Sequence, residues 1–76
     1  MRAMNFDNPN WEPLEHLIGA KCSEFMWMRR EGKVEFYKHI NTRRYLRLDA
    51  EGHCYREGSG GLEAANLEQE LKRVFE

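Results

Sequence analysis

The sequence is poor in cysteine and proline, and it contains no long apolar run. Its 76 residues include two prolines and two cysteines, Cys22 and Cys54, which stand far apart and form no Cys-x-x-Cys pair. This spacing argues against a disulfide framework, a zinc knuckle and a redox motif, and it predicts two free, mostly packed thiols. No stretch approaches the ~18 consecutive apolar residues of a membrane span, and the first residues lack the apolar core of a signal peptide. We therefore expect a cytoplasmic protein.

Motifs for catalysis, metal ions and cofactors are missing as well. The chain has no glycine-rich phosphate loop and no Ser-His-Asp elements, and its histidines and cysteines show no metal-ligand spacing. In a catalytic alternative, His39 or His53 acts as a general base beside an acidic residue of the sheet. A chain of this length offers little depth for a substrate pocket of ~300 Å³ or more. We predict no enzymatic activity, no metal site and no cofactor.

Basic residues are concentrated in the middle of the chain, and acidic residues predominate on both sides of it. Residues 29–48 hold seven basic residues against two acidic ones, a net charge of +5, whereas residues 1–28 carry −2 and residues 49–76 carry −4. One region of a nearly neutral protein should therefore present a positive surface. The sequence pI of about 6.3 lies well below the basic balance of a dedicated nucleic-acid binder.

Length and composition predict one small domain, residues 1–76. Apolar residues make up 41% and charged residues 33% of the chain, which is the balance of a globular protein and not of a disordered one. A domain of this size buries only about 60% of its unfolded surface, so a dimer contact or another partner would add useful stability. Residues 1–9 are predicted to form a flexible tail, and the glycine-rich residues 58–61 a linker.

Two helices and a set of strands follow from the hydrophobic periods. Asn10 is placed to cap a short first helix that stops at Gly19. A second, amphipathic helix is predicted over 62–75, with a glutamate near its start and basic residues in its last turn. Between the helices the period is two, which indicates consecutive hairpins. The predicted strands are 24–30, 33–40, 44–49 and 53–57.

Turn chemistry predicts the registers of the first and last hairpins. A two-residue turn at 31–32 sets Trp27 opposite Phe36. A three-residue Ala-Glu-Gly loop sets Leu48 opposite Cys54.

The middle connection has two readings. A three-residue loop at 41–43 sets Phe36 opposite Leu48, whereas a two-residue turn sets Tyr37 opposite Leu46. We favour the first because it keeps the most apolar side chains on one face. The predicted apolar face consists of Phe25, Trp27, Val34, Phe36, Ile40, Leu46, Leu48 and Cys54.

These elements predict an α+β fold with a short N-terminal helix, a four-stranded antiparallel meander and a C-terminal helix, both helices covering the apolar face. The opposite face is then open to solvent. On it the alternation places Met26, Met28, Glu35, Tyr37, His39, Tyr45, Arg47, Asp49, His53, Tyr55 and Glu57. The predicted registers set Arg47 between Tyr37 and Tyr55. They also set His39 beside Tyr45.

Seven residues are candidates for ligand contact, because they place aromatic rings, guanidinium groups and an imidazole on this face or in the adjoining basic loop. They are Tyr37, His39, Arg43, Arg44, Tyr45, Arg47 and Tyr55. Aromatic and guanidinium groups stack on the bases of single-stranded nucleic acids, at about 1–3 kcal/mol per base. The same side chains suit the contact face of a symmetric dimer, and tyrosines are common on strands that bind no ligand.

We expect a small non-catalytic binding domain that acts by protein association, with a homodimer formed through the sheet as one version. The alternative is nucleic-acid binding through the basic hairpin region 29–47, where arginine and asparagine side chains suit contacts to phosphates and bases. The near-neutral overall charge places protein association first. An acidic protein would also suit the basic region, and no membrane partner is expected.

Overall fold

The structure is a computed structural model that describes residues 8–76. Its elements are α1 (Glu12–Ile18), a 3₁₀ helix (Gly19–Glu24), β1 (Phe25–Glu31), β2 (Val34–His39), β3 (Tyr45–Asp49), β4 (Cys54–Gly58), β5 (Gly61–Ala65) and α2 (Leu67–Phe75). The strands form one antiparallel sheet in the order β1-β2-β3-β4-β5, so β1 and β5 are its edges. The predicted α+β class with an antiparallel sheet is confirmed, but the sheet has five strands instead of four. No helix in this part of the chain is long and apolar enough to cross a membrane.

The first helix lies close to its predicted position. Asn10 Oδ1 accepts a hydrogen bond from the N–H of Glu12 at 3.2 Å, while Trp11 occupies the N-cap position itself. The helix ends before Gly19, as predicted. The predicted flexible tail, residues 1–9, lies outside the described residues except for its last two positions.

The C-terminal segment differs most from the sequence-based prediction of one helix over 62–75. Gly61–Ala65 forms β5 instead, and the predicted linker 58–61 is the tight turn that joins β4 to β5. The second helix follows Asn66, whose Oδ1 accepts a hydrogen bond from the N–H of Gln69 at 3.0 Å. Leucine, glutamate and alanine favour helix, but pairing along the edge of β4 overrides that weak preference.

The first hairpin turns one residue later than predicted, at 32–33. Gly32 takes the first central position of this turn with φ +57°, which its missing Cβ permits. A β-bulge then shifts the register farther along β1, so that Trp27 pairs with Tyr37. The predicted pairing of Trp27 with Phe36 is therefore wrong.

The register between β2 and β3 is the one that the sequence disfavours. Tyr37 pairs with Leu46, so the predicted pairing of Phe36 with Leu48 is wrong. The preference for a single apolar face misleads here because β2 is buried on both faces: residues 34–37 are each at most 4% exposed. In such a strand the alternation of apolar and polar residues does not reveal which side faces the core.

A buried histidine shapes the loop between β2 and β3. The Nδ1 atom of His39 accepts hydrogen bonds from the N–H groups of Asn41 and Thr42, at 3.1 and 3.2 Å. The backbone N–H of His39 donates to the carbonyl of Arg44 at 2.9 Å. The loop therefore has four residues, 40–43, instead of the predicted three. Its length depends on a side chain that caps it, which turn statistics do not contain.

The last of the predicted hairpins has the expected register. Leu48 pairs with Cys54 and Arg47 pairs with Tyr55. The side chain of Asp49 accepts hydrogen bonds from two N–H groups of the loop, and this fixes the turn.

The core lies between the two α-helices and one face of the sheet. Its buried cluster consists of Leu14, Phe25, Tyr37, Leu46, Leu48, Cys54 and Val74. Leu14 comes from α1 and Val74 from α2, so both helices pack on the face that carries Tyr37. The hydroxyl of Tyr37 donates to the backbone carbonyl of Asn10, which satisfies the polar end of this core side chain.

Half of the predicted apolar face belongs to this cluster. Its members there are Phe25, Leu46, Leu48 and Cys54. Trp27 is partly buried against the cluster. Val34 and Phe36 are buried on the opposite side of the sheet, and Ile40 lies in the loop with 47% of its surface exposed.

Glu35, predicted on the open face, is instead buried on the core side of β2. Its carboxylate accepts hydrogen bonds from Trp27 Nε1 at 2.7 Å and from Arg30 Nε. The ion pair with Arg30 supplies the opposite charge that a buried carboxylate requires. This polar group ties the edge strand β1 to β2.

Both cysteines are free, as predicted, and we expect them to react slowly with alkylating reagents. Burial raises the pKa of Cys54 to about 11, with Glu70 adding to the effect. Burial also raises the pKa of Cys22, which is half-buried and lies near Glu15. The thiolate is the reactive form, so both thiols should be nearly inert at pH 7. In a mass-spectrometric time course with iodoacetamide, Cys22 should react before Cys54, and urea should accelerate both reactions. Faster modification of Cys54 in the native protein would contradict its place in the core.

Candidate functional site

The sheet face opposite the core carries the first candidate contact surface, and we call it the outer face. Its side chains alternate with those of the core along each strand. One cross-strand row of the outer face contains Arg29, Phe36, Arg47 and Tyr55. A second row contains Met26, Lys38 and Tyr45.

Phe36 lies at the centre of the outer face. Its side chain is nevertheless only 1% exposed, because two guanidinium groups cover its ring. Those of Arg29 and Arg47 lie 4.2 and 5.3 Å from the ring centroid. The ring of Tyr45 packs edge-on against Phe36 with centroids 6.3 Å apart. Each cation–π contact contributes about 0.5–1 kcal/mol at exposed sites and more when desolvated.

Arg47 contacts Tyr45 and Glu57 as well as Phe36. Its guanidinium carbon also lies 5.3 Å from the centroid of the Tyr45 ring, and its Nη2 lies 3.4 Å from Oε1 of Glu57. The Nε atom of Arg47 is buried and forms no hydrogen bond with any residue in 8–76. Arg47 is thus a largely buried cation whose hydrogen-bonding capacity is incompletely used.

The predicted contact residues divide between surface and core. Tyr45, Arg47 and Tyr55 lie on the outer face, and Arg43 and Arg44 lie at the end of the loop between β2 and β3.

Tyr37 and His39 are core residues instead, with 0% and 3% of their surfaces exposed. The predicted contacts of Tyr37 with Arg47 and of His39 with Tyr45 are wrong, because β2 presents its other side to the outer face. The predicted pairing of Arg47 with Tyr55 is confirmed.

The side chain of His39 has a structural role in the loop between β2 and β3. Because its Nδ1 accepts two backbone hydrogen bonds, its proton lies on Nε2, which donates to Oε1 of Glu24 at 3.0 Å. The imidazole also packs edge-on against Phe25 and Phe75, with ring centroids 5.0 and 5.2 Å apart. These contacts occupy both ring nitrogens in holding the loop.

Three potential metal ligands converge in the loop between β3 and β4. One oxygen or nitrogen from each of Asp49, Glu51 and His53 lies within 4.8 Å of the others. Both oxygens of Asp49 are already engaged. Oδ1 accepts the N–H groups of Glu51 and His53, and Oδ2 accepts the hydroxyl of Tyr55 at 2.9 Å. These hydrogen bonds explain the cluster of Asp49, Glu51 and His53 as the group that fixes the turn between β3 and β4.

Two methionines are exposed on the edge strand β1. Met26 is 43% and Met28 39% exposed. Met26 lies in the second row of the outer face, and Met28 is the extra residue of the β-bulge. An edge strand also has one side whose backbone groups pair with no other strand of the sheet.

A second candidate site opens where β3 and β4 separate. These strands pair only at Arg47 and Leu48, whereas β4 and β5 form five pairs. The gap leads to a cleft of about 420 Å³ against α2. We call it the arginine cleft, and it is lined by Arg44, Tyr45, Arg47, Arg56, Glu57, Glu70 and Arg73.

The side chains of the arginine cleft hold its walls together. Arg73 Nη2 donates to the carbonyl of Tyr45 at 2.7 Å and to Oε1 of Glu70 at 2.9 Å. Arg44 Nη1 donates to the carbonyl of Arg73 at 2.7 Å. The strand end, the loop and the last turn of α2 are thereby joined.

The sequence predicted only part of this cleft. Arg44, Tyr45 and Arg47 were candidates from the basic segment, but Arg56, Glu70 and Arg73 were not. The position of these three residues in the cleft depends on the separation of β3 from β4 and on the packing of α2 against the sheet.

No protein family, curated protein or solved structure matches this chain.

Proposed function

We propose that this protein is a small, non-catalytic binding domain that acts by protein association through the outer face of its sheet. The observation that carries this proposal is the exposed Met26 on an edge strand, beside the row of Arg29, Phe36, Arg47 and Tyr55. Methionine, arginine and aromatic residues are the types enriched in protein interfaces, and arginine and tyrosine often dominate their binding energy.

A second copy of the chain is the partner that this face fits best. Arg29 pairs with Glu31 at 2.6 Å, and both side chains remain about half exposed, at 48% and 49%. Farther along the face Arg47 lies near Glu57. Acidic and basic groups thus alternate across one surface, so a copy related by a twofold axis can exchange ion-pair partners with it. Dimerisation would also bury apolar surface in a domain that has little core.

The test is the solution mass. We expect light scattering at micromolar concentration to give about twice the 9.1 kDa of the single chain. Met26→Glu should return the mass to that of one chain, because it places an unpaired charge in the contact. Ala20→Glu is the matched control, since Ala20 is also exposed but belongs to the 3₁₀ helix, outside the sheet, and it should leave the dimer intact. A single-chain mass at every accessible concentration would refute self-association.

Nucleic-acid binding is the second candidate, and one observation favours it. Arg43 and Arg44 are both exposed and have no carboxylate within ion-pair distance among residues 8–76. A mobility shift of single-stranded DNA that disappears as salt rises, and that weakens when both arginines become alanine, would favour this candidate.

A further inference from the structure

We propose that the arginine cleft binds a phosphate monoester group. This inference goes beyond the proposed association through the outer face. The exposed Met26 lies on β1, whereas the cleft opens at the separated ends of β3 and β4 on the other side of β2. The two surfaces share Tyr45, Arg47 and Glu57 at their border, so the two proposals need separate tests.

The charge of the cleft matches that of a phosphate monoester. Four arginines and two glutamates line it, which gives a net charge of +2. A phosphate monoester carries about −1.5 to −2 at pH 7, whereas a carboxylate or a phosphate diester carries about −1. Of these three anions, only the phosphate monoester carries a charge of about −2, which balances the net charge of the cleft.

The arginines retain donors for such a ligand. Arg44 donates one hydrogen bond, to the backbone carbonyl of Arg73, and has no acidic partner among residues 8–76. Arg47 reaches Glu57 only at 3.4 Å and has a buried Nε without a hydrogen bond in the described part of the chain. Arg56 meets its acidic partner, Glu63, at 3.8 Å, which is the edge of ion-pair distance. Guanidinium groups bind phosphate oxygens through paired, charge-assisted hydrogen bonds, so a phosphate supplies the acceptors that these weak contacts do not.

The walls of the cleft are positioned before a ligand arrives. Arg73 is held by Glu70 and by the carbonyl of Tyr45, and Arg44 is held by the carbonyl of Arg73. These bonds limit the freedom that the side chains would lose on binding. The volume of about 420 Å³ lies within the range of roughly 300–1,000 Å³ for small-ligand sites.

The experiment compares three small anions by NMR titration of the full chain. The probes are phenyl phosphate as the monoester, dimethyl phosphate as the diester and benzoate as the carboxylate. We expect saturable shifts around the cleft with phenyl phosphate, at an affinity about tenfold or more above that of the other two. Equal affinities, or no saturation with phenyl phosphate, would overturn the proposal.

Variants separate the cleft from general charge attraction. Arg44→Gln should weaken phenyl phosphate binding by about tenfold, because it removes a charge-assisted donor. Arg43→Gln is the matched control: it removes the same charge one residue away, at a position that does not line the cleft, and should change affinity by less than about twofold. Equal losses in the two variants would contradict a built site.

Two further arms identify the source of the phosphate group. A phosphoserine peptide that binds much more tightly than phenyl phosphate would assign the ligand to a phosphorylated protein, and equal affinity would assign it to a small molecule. An oligonucleotide without terminal phosphate that displaces phenyl phosphate at lower concentration would overturn the proposal in favour of a polyanion. Met26→Glu, which is expected to give a single-chain mass, should still bind phenyl phosphate, so failure of the proposed dimer and failure of the cleft can be distinguished.

Discussion

Replacement of Tyr37 by alanine should lower the free energy of unfolding by about 3–5 kcal/mol. The side chain is fully buried, and its ring lies 5.4 Å from that of Trp11. Its hydroxyl donates to the backbone carbonyl of Asn10, which links β2 to the segment before α1. A domain of this size has a total stability of roughly 4–11 kcal/mol, so the loss is a large fraction of the total and the variant should unfold at a much lower urea concentration than the wild type.

Urea denaturation followed by circular dichroism measures this effect. Tyr45→Ala is the matched control, because Tyr45 is a half-buried tyrosine of the outer face and its loss should cost about 1 kcal/mol or less. Tyr37→Phe keeps the ring and removes only the hydrogen bond, which should cost about 0.5–1.5 kcal/mol. If Tyr37→Ala were no more costly than Tyr45→Ala, the register with Phe36 on the core face would be the correct one.

Burial also raises the pKa of Tyr37, and neighbouring Glu35 adds to the effect. The neutral phenol is therefore favoured by folding. Its contribution to stability is present below the unfolded pKa of about 10 and is lost as the pH rises above that value.

Replacement of Asp49 by asparagine should lower the free energy of unfolding by about 2–3 kcal/mol at pH 7. The carboxylate is 2% exposed and accepts hydrogen bonds from the N–H groups of Glu51 and His53 and from the hydroxyl of Tyr55. The amide keeps one acceptor oxygen and can donate to the tyrosine oxygen through its NH₂ group, but it is uncharged, so three charge-assisted hydrogen bonds are replaced by weaker neutral ones. The loop between β3 and β4 should loosen as a result.

The effect of Asp49→Asn should depend on pH in one direction. Burial disfavours the charged carboxylate, but the hydrogen bonds from His53, Tyr55 and Glu51 outweigh burial and hold the pKa of Asp49 below its usual value. A lowered pKa contributes stability above the unfolded value of about 3.9, and that stability is lost as the pH falls through the folded pKa. The difference between wild type and variant should therefore be full at pH 7 and shrink below pH 4.

Urea denaturation at pH 7 and at pH 3 measures this difference. Glu51→Gln is the control, because it removes a charge from the same loop at an exposed side chain and should have little effect on stability. An equal loss for Asp49→Asn at both pH values would show that the charge of Asp49 does not stabilise the loop.

The separation of β3 from β4 shows why a site can escape sequence analysis. Arg56 and Arg73 are ordinary charged residues in the sequence, one on a predicted strand and one in a helix. The structure brings them to one cleft because β4 pairs with β5 along its whole length but with β3 at only two positions. No local pattern encodes that departure, because it depends on contacts between segments that are distant in the sequence.

The sequence by itself determined the α+β class, the four strands between residues 24 and 58 to within about two residues, and the pairing of Arg47 with Tyr55. These features depend on local periods and on a tight turn, which neighbouring residues specify. Only the tertiary structure decided which side of β2 faces the helices. That strand is buried on both faces, by the helices on one side and by the arginines over Phe36 on the other. The registers of β2 with its two neighbours also depended on the bulge in β1 and on the length of the loop that His39 caps.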